Sequence, residues 1–243
     1  MSESTFRLIA LALSVFAGAT ASVVGFGIGS LLTPLLATQV GIEAAIALVT
    51  VPHAVATAIR CWRLRASIDW TVLRSFGLLS AAGGMIGALA YSRLGSTSLT
   101  RVLGGLLLLT AVAQLAKLAA RWRPHGPVVG ALGLASGFFG GIAGNQGGLR
   151  AAALTAFGLT PVAFVATATA TGLIVDAARA PVYAWTSYHA LATYWDHVAV
   201  LTVGVVAGTL AGTALVKTVS AAGFARVVAV AVGLLGAWLL ASA

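Results

Sequence analysis

The chain has 243 residues, of which 60% are hydrophobic and 8% charged, with a mean hydropathy of +1.03. This excludes an ordinary soluble domain, in which roughly 25% of residues carry charge. The formal charge of +9 does not point to nucleic acid, because the basic residues stand in short clusters between apolar segments; the partner such clusters fit is anionic membrane lipid.

In chain order, eight apolar segments are expected at about 6–24, 41–59, 70–91, 100–120, 127–143, 160–184, 197–216 and 222–241. Hydrocarbon about 30 Å thick takes roughly 20 apolar residues per helix. The fold class expected is therefore all-α, a polytopic membrane protein of about eight transmembrane helices. These segments are apolar all round, as membrane helices are, not striped like surface helices. The first ends in Gly-Ala-Thr-Ala and resembles a signal peptide, but Glu3 lies beside Arg7 and the apolar run continues past Ala21; it is read as a retained span.

Two glycine-rich stretches interrupt this pattern. Gly25-Phe-Gly-Ile-Gly-Ser-Leu-Leu-Thr-Pro34 follows the first segment, and Gly140-Gly-Ile-Ala-Gly-Asn-Gln-Gly-Gly-Leu-Arg150 follows the fifth. The stretches 25–38 and 144–158 are too short to span, and each precedes a Gly-led turn at Gly41 or Gly158. In lipid, backbone that leaves helical geometry needs internal partners for its N–H and C=O groups. Paired breaks in two halves are the best sequence pointer to a transporter's site.

The halves, 1–123 and 124–243, read as two related four-helix repeats within one integrated membrane domain. Laying Gly41 on Gly158 aligns Gly27 with Gly144, Thr33 with Arg150, Thr50 with Thr167 and Pro52 with Thr169. Asp69-Trp70 recurs loosely as Trp195-Asp196-His197. Gly83 with Gly87, and Gly204 with Gly208 and Gly212, have the spacing that lets helix backbones approach closely. Basic residues at 60–74 and 117–123 put those two loops on the cytoplasmic side, together with the N-terminus, and Arg93, Arg101, Lys217 and Arg226 opposite. Four spans per half imply halves of equal orientation unless a broken element crosses.

Ionisable residues inside apolar segments are costly and mark candidate sites. Arg150 closes the second motif, where its planar fork suits a sulfonate, sulfite or carboxylate. Asn145, Gln146, Gly144 and Gly147, with Gly27, Gly29 and Thr33 from the first motif, are the other expected substrate contacts; Arg150 at the lipid interface is the alternative. Asp176 and Arg179 share a helix face at i, i+3 and read either as a mutually neutralising pair or as a gate or proton carrier. His53 follows Pro52, whose kink aims it inward as a coupling residue or as a packed, hydrogen-bonded histidine. Glu43 reads as a helix-start charge, and His125, His189 and His197 as water-facing.

Cys61 is the only cysteine, which excludes an intrachain disulfide; beside arginines it reads as an incidental loop thiol. Metalloprotease, serine-hydrolase and Walker signatures are absent, so neither an enzyme nor a cofactor or metal site is expected.

These features resemble the TauE/SafE family of membrane proteins, known as sulfite or organosulfonate exporters. The resemblance rests on the first glycine motif, on Asp69-Trp70 after a basic loop and on the duplicated architecture, and it extends over nearly the whole chain. The second motif departs from the common glycine-rich pattern and resembles a subgroup with Gly-Asn-Gln-Gly and an arginine, followed by an Asp-x-x-Arg like Asp176 to Arg179. The resemblance implies export of a small anion across a prokaryotic cell membrane. A channel or carrier for a cation or another sulfur compound, an accessory subunit, and a homo-oligomer all stay open at this point.

Overall fold

The computed structural model describes residues 2–116, 126–145, 147–215 and 221–243, and among them all regular structure is helical. The expected residues Lys117, Arg121, Arg123, His125, Gln146 and Lys217 lie outside the described residues. The helices are α1 (Glu3–Val24), α2 (Ile28–Val40), α3 (Ile42–Leu64), α4 (Trp70–Tyr91), α5 (Ser96–Leu115), α6 (Pro127–Ala143), α7 (Gly147–Leu154), α8 (Pro161–Thr186), α9 (Tyr188–Thr193), α10 (Trp195–Leu215) and α11 (Ala221–Ala241). Among the described residues, six helices are long and apolar enough to cross a membrane, whereas α2, α6 and the Ala225–Ala241 part of α11 are shorter.

Local sequence explains the boundaries. Ser2 caps α1, Thr160 caps α8 ahead of Pro161, and Asp69 caps α4 by accepting from Val72 N–H at 2.9 Å. Both breaks begin with a glycine in the left-handed region, Gly25 at φ 87° after α1 and Gly144 at φ 68° after α6, where other residues are strained. Cap geometry therefore pairs Gly25 with Gly144, two positions from the expected pairing of Gly27 with Gly144.

Helix direction follows from the contacts. Gly18 approaches Val205 and Thr209, Gly208 approaches Val15, and Gly212 approaches Ala19, so α1 lies parallel to α10. Gly137 meets Ser80 and Gly141 meets Gly84, so α6 lies parallel to α4. At one end of the bundle Arg7 pairs with Asp196, and Tyr91 Oη donates to Glu43 O at 2.7 Å. At the other end Asp69 N–H donates to Thr167 Oγ1 at 2.9 Å. Helices α1 and α6 thus enter from opposite ends.

This corrects the expected topology. Each broken element returns towards the end from which its long partner came, which adds one reversal per half. The N-terminus consequently lies at the end opposite Arg63, Arg65 and Arg74, not beside them, and Arg226 at the start of α11 lies at the same end as those arginines. His197 also departs from expectation: its ring is half-buried between Phe6 and Tyr194, with centroids 5.5 and 5.7 Å away. His189 is exposed as expected.

The exterior is apolar. Leu8, Leu78, Val203, Val227 and Leu234 are more than 60% exposed, as lipid-facing residues are. Exposed tryptophans stand at both ends, Trp62 and Trp70 at one, Trp185 and Trp195 at the other, where amphipathic rings suit the headgroup level. Helix α4 alone has 22 residues, about 33 Å at 1.5 Å per residue. Inside, the α1–α10 and α4–α6 seams are built on glycine. A methyl added at Gly137 would overlap the Ser80 carbonyl oxygen, whereas one at Gly105 would meet open space. Gly137→Ala is expected to destabilise the detergent-solubilised protein by about 1–3 kcal/mol, and Gly105→Ala to be neutral or stabilising; paired thermal melts check both.

Candidate functional site

The two breaks touch. The Gly144 carbonyl oxygen lies against Gly29, and Phe26 lies against Gly147, so closely that neither glycine has room for a side chain. Ser30 Oγ donates to Asn145 Oδ1 at 3.1 Å across the same junction. Thr33 and Arg179 Nη1 stand beside Gly144. Gly27, at φ 132°, begins α2 without a side-chain cap and packs on Thr20. Gly27, Gly29, Thr33, Gly144, Asn145 and Gly147 are therefore brought together; Gln146 is outside the described residues.

Helix α6 ends inside the bundle, where its last residues, Gly140 to Ala143, are buried. Arg179 Nη1 donates to Gly140 O at 2.6 Å, and the Tyr183 hydroxyl donates to Gly141 O. A guanidinium at a helix C-terminus also complements its dipole. Arg179 in turn donates from Nε and Nη2 to Asp176 Oδ1 at 3.1 and 2.8 Å, while Asp176 Oδ2 meets His53 Nδ1 at 2.6 Å. Asp176 and Arg179 are 1% and 2% exposed. Here the mutually neutralised pair and the hydrogen-bonded histidine are both observed. Tyr183 packs edge-on against Tyr91 with centroids 5.1 Å apart. Tyr91 and Ser187 then open on a cleft of about 1080 Å³ at the Arg7 end, which Glu43 and His189 also line.

Arg150 is buried, not at the interface: it is 3% exposed, and its Nη1 has no hydrogen-bond partner. That atom sits over Gly172, where a side chain would displace it. Gly172 is the twelfth of 26 residues in α8, about 17 Å from one end of the helix, which puts the guanidinium near mid-depth.

Arg60 was not singled out by sequence, having been read as part of a basic loop. The structure buries it to 4% exposure, with Nε and Nη1 unpaired and Nη2 donating to Thr57 Oγ1 at 3.2 Å. The available signal was spacing: His53, Thr57 and Arg60 recur at i, i+4, i+7 on one face of α3. The opposing face of α8 runs Thr169, Gly172, Asp176, Arg179 and Tyr183 at the same period. The unpaired Thr33, Thr169 and Thr171 hydroxyls and the Asn145 amide nitrogen are buried as well. Donor-rich, and with one carboxylate already paired, this interior suits an anion.

Removing one partner of a buried ion pair costs about 3–5 kcal/mol, so Asp176→Asn should sharply lower the melting temperature. Arg7→Ala, which breaks an exposed pair, should cost under about 1 kcal/mol; differential scanning fluorimetry in detergent compares the two. Neither curated proteins nor solved structures gave a match. The family model described as Sulfite exporter TauE/SafE matches residues 10–239, nearly the whole length. The chain belongs to the TauE/SafE sulfite exporter family of membrane transport proteins.

Proposed function

We propose that the protein is a secondary transporter that exports a small anion, sulfite or another sulfur oxyanion or organosulfonate, across a prokaryotic cell membrane. The observation that carries this reading is Arg150, a buried guanidinium with an unpaired nitrogen at mid-depth beside two broken helices. Family membership supports a sulfur-containing anion as the cargo. Asn145, Thr33 and the glycines of both breaks complete the shell around the cargo, because they meet at one junction.

The two halves act as related repeats of opposite orientation. Supporting this, the packing scheme survives their exchange: α1 packs on α10 as α6 does on α4, and α3 packs on α10 as α8 does on α4. The His53, Asp176 and Arg179 cluster separates Arg150 from the cleft at the Arg7 end and serves as the gate, with His53 and Asp176 available for proton coupling. A cation path would need unpaired inward carboxylates, whereas Asp176 has both oxygens engaged.

Purified protein in liposomes loaded with sulfite or sulfoacetate should pass anion without any partner. Arg150→Ala should lower flux at least about tenfold, the loss expected of one charge-assisted hydrogen bond. Unchanged flux in that variant removes Arg150 from the mechanism, and no flux from wild type supports an accessory role.

A further inference from the structure

Among the described residues, Arg60 and Arg150 share an environment without a carboxylate of their own. Among the described residues neither guanidinium forms an ion pair, and the one buried carboxylate, Asp176, is held by His53 and Arg179. The two arginines are neighbours across Thr57. The Thr57 hydroxyl accepts from Arg60 Nη2, and its methyl group lies beside the Gly172 position over which Arg150 Nη1 sits. Their charges act on each other. Burying an unpaired guanidinium costs several kcal/mol, arginine cannot shed its proton, and a second positive charge beside the first adds repulsion.

These groups ask for negative charge, and for two units of it. A singly charged anion neutralises one guanidinium and leaves the other buried and uncompensated, whereas a doubly charged one satisfies both. We propose that Arg60 and Arg150 together bind a doubly charged oxyanion, with Arg60 as the second charged ligand and Thr57 as the residue that orients it. This rests on the reading of Arg150 as the cargo site and adds the cargo's charge. Gly172 leaves room for the Arg150 fork because a methyl there would fall 2.9 Å from Nη1. Two forks beside one another also offer an oxyanion planar, paired donors.

The test is calorimetric titration of detergent-purified protein with thiosulfate and sulfate, both doubly charged, against methanesulfonate and nitrate, which carry one charge. Wild type should bind the doubly charged pair at least about tenfold more tightly, the equivalent of one charged hydrogen bond. Arg60→Gln should abolish that preference by weakening the doubly charged anions alone. Arg60→Lys, which keeps the charge and loses the fork, should retain most of it, and it serves in place of Arg60→Gln if that variant does not fold. Equal wild-type affinity for both classes, or equal weakening of both in Arg60→Gln, overturns the proposal while leaving an anion site at Arg150. Failure of wild type to bind any of the four also overturns this inference, whereas the cargo site itself stands or falls with the sulfite and sulfoacetate flux of the Arg150→Ala variant.

Discussion

A helix that stops inside a bilayer must find donors for its last carbonyls, and the arrangement around α6 is built on that demand. Arg179 and Tyr183 reach from α8 to the Gly140 and Gly141 oxygens. An unsatisfied Gly141 carbonyl there would cost several kcal/mol, while Gly140 O, which already accepts from the Gly144 N–H, gains a charged second donor, and the solution has consequences. A buried guanidinium needs a carboxylate, supplied three residues away by Asp176, and the second oxygen of Asp176 needs a donor, supplied by His53 on α3. One interrupted helix thus accounts for the Asp-x-x-Arg spacing, for the tyrosine one turn beyond it and for the histidine opposite.

The second constraint is proximity. Hydrophobic burial does not drive helices together in lipid, so close backbone contact has to supply the cohesion. Glycines at 83, 87, 137 and 141 in one seam, and at 18, 204, 208 and 212 in the other, leave no space for a methyl group. One seam joins α4 to α6 and the other joins α1 to α10. The two breaks meet each other, Gly29 against the Gly144 carbonyl and Phe26 against Gly147. Rigid frame and interrupted centre are therefore made of different residues, although both draw on glycine.

How much of this was legible depends on what each signal reports. Hydropathy located every long helix, because the thickness of hydrocarbon sets segment length directly. Glycine runs located both breaks, because left-handed caps at Gly25 and Gly144 exclude most other residues. The left-handed caps are Gly25 and Gly144, two positions from the Gly27–Gly144 alignment, and glycine-rich motifs slide on one another with little loss of match. Topology was wrong for a related reason: α2 and α7 are too short to count as spans, yet each reverses the chain and so changes which end the next helix starts from. Arg60 was missed because it lies in a cluster with Arg63 and Arg65, where composition reads as loop. Its burial shows only when its face is followed back to Thr57 and His53, and Tyr183 became visible only once the α6 carbonyls were placed.

The polar stripe of α8 divides by electrostatic task. Towards the Arg7 end, Asp176, Arg179 and Tyr183 form a layer in which every charge is matched and which ties α8 to the end of α6. Towards the other end, Gly172 faces Arg150 and Thr57, which holds Arg60, and positive charge is in excess. In the proposed transport cycle these layers have opposite requirements. The matched layer loses bonds if α6 and α8 separate, so it resists opening, whereas the unmatched layer is relieved when an anion arrives. Charge brought to Arg60 and Arg150 also acts on Asp176, which the same two guanidiniums attract. On the proposed reading an anion there offsets that attraction and leaves Asp176 held by Arg179 and His53 alone. In the proposed cycle, Asp176 is thus the one group that faces both the cargo's charge and the layer proposed as the gate, without any ligand having to touch Arg179.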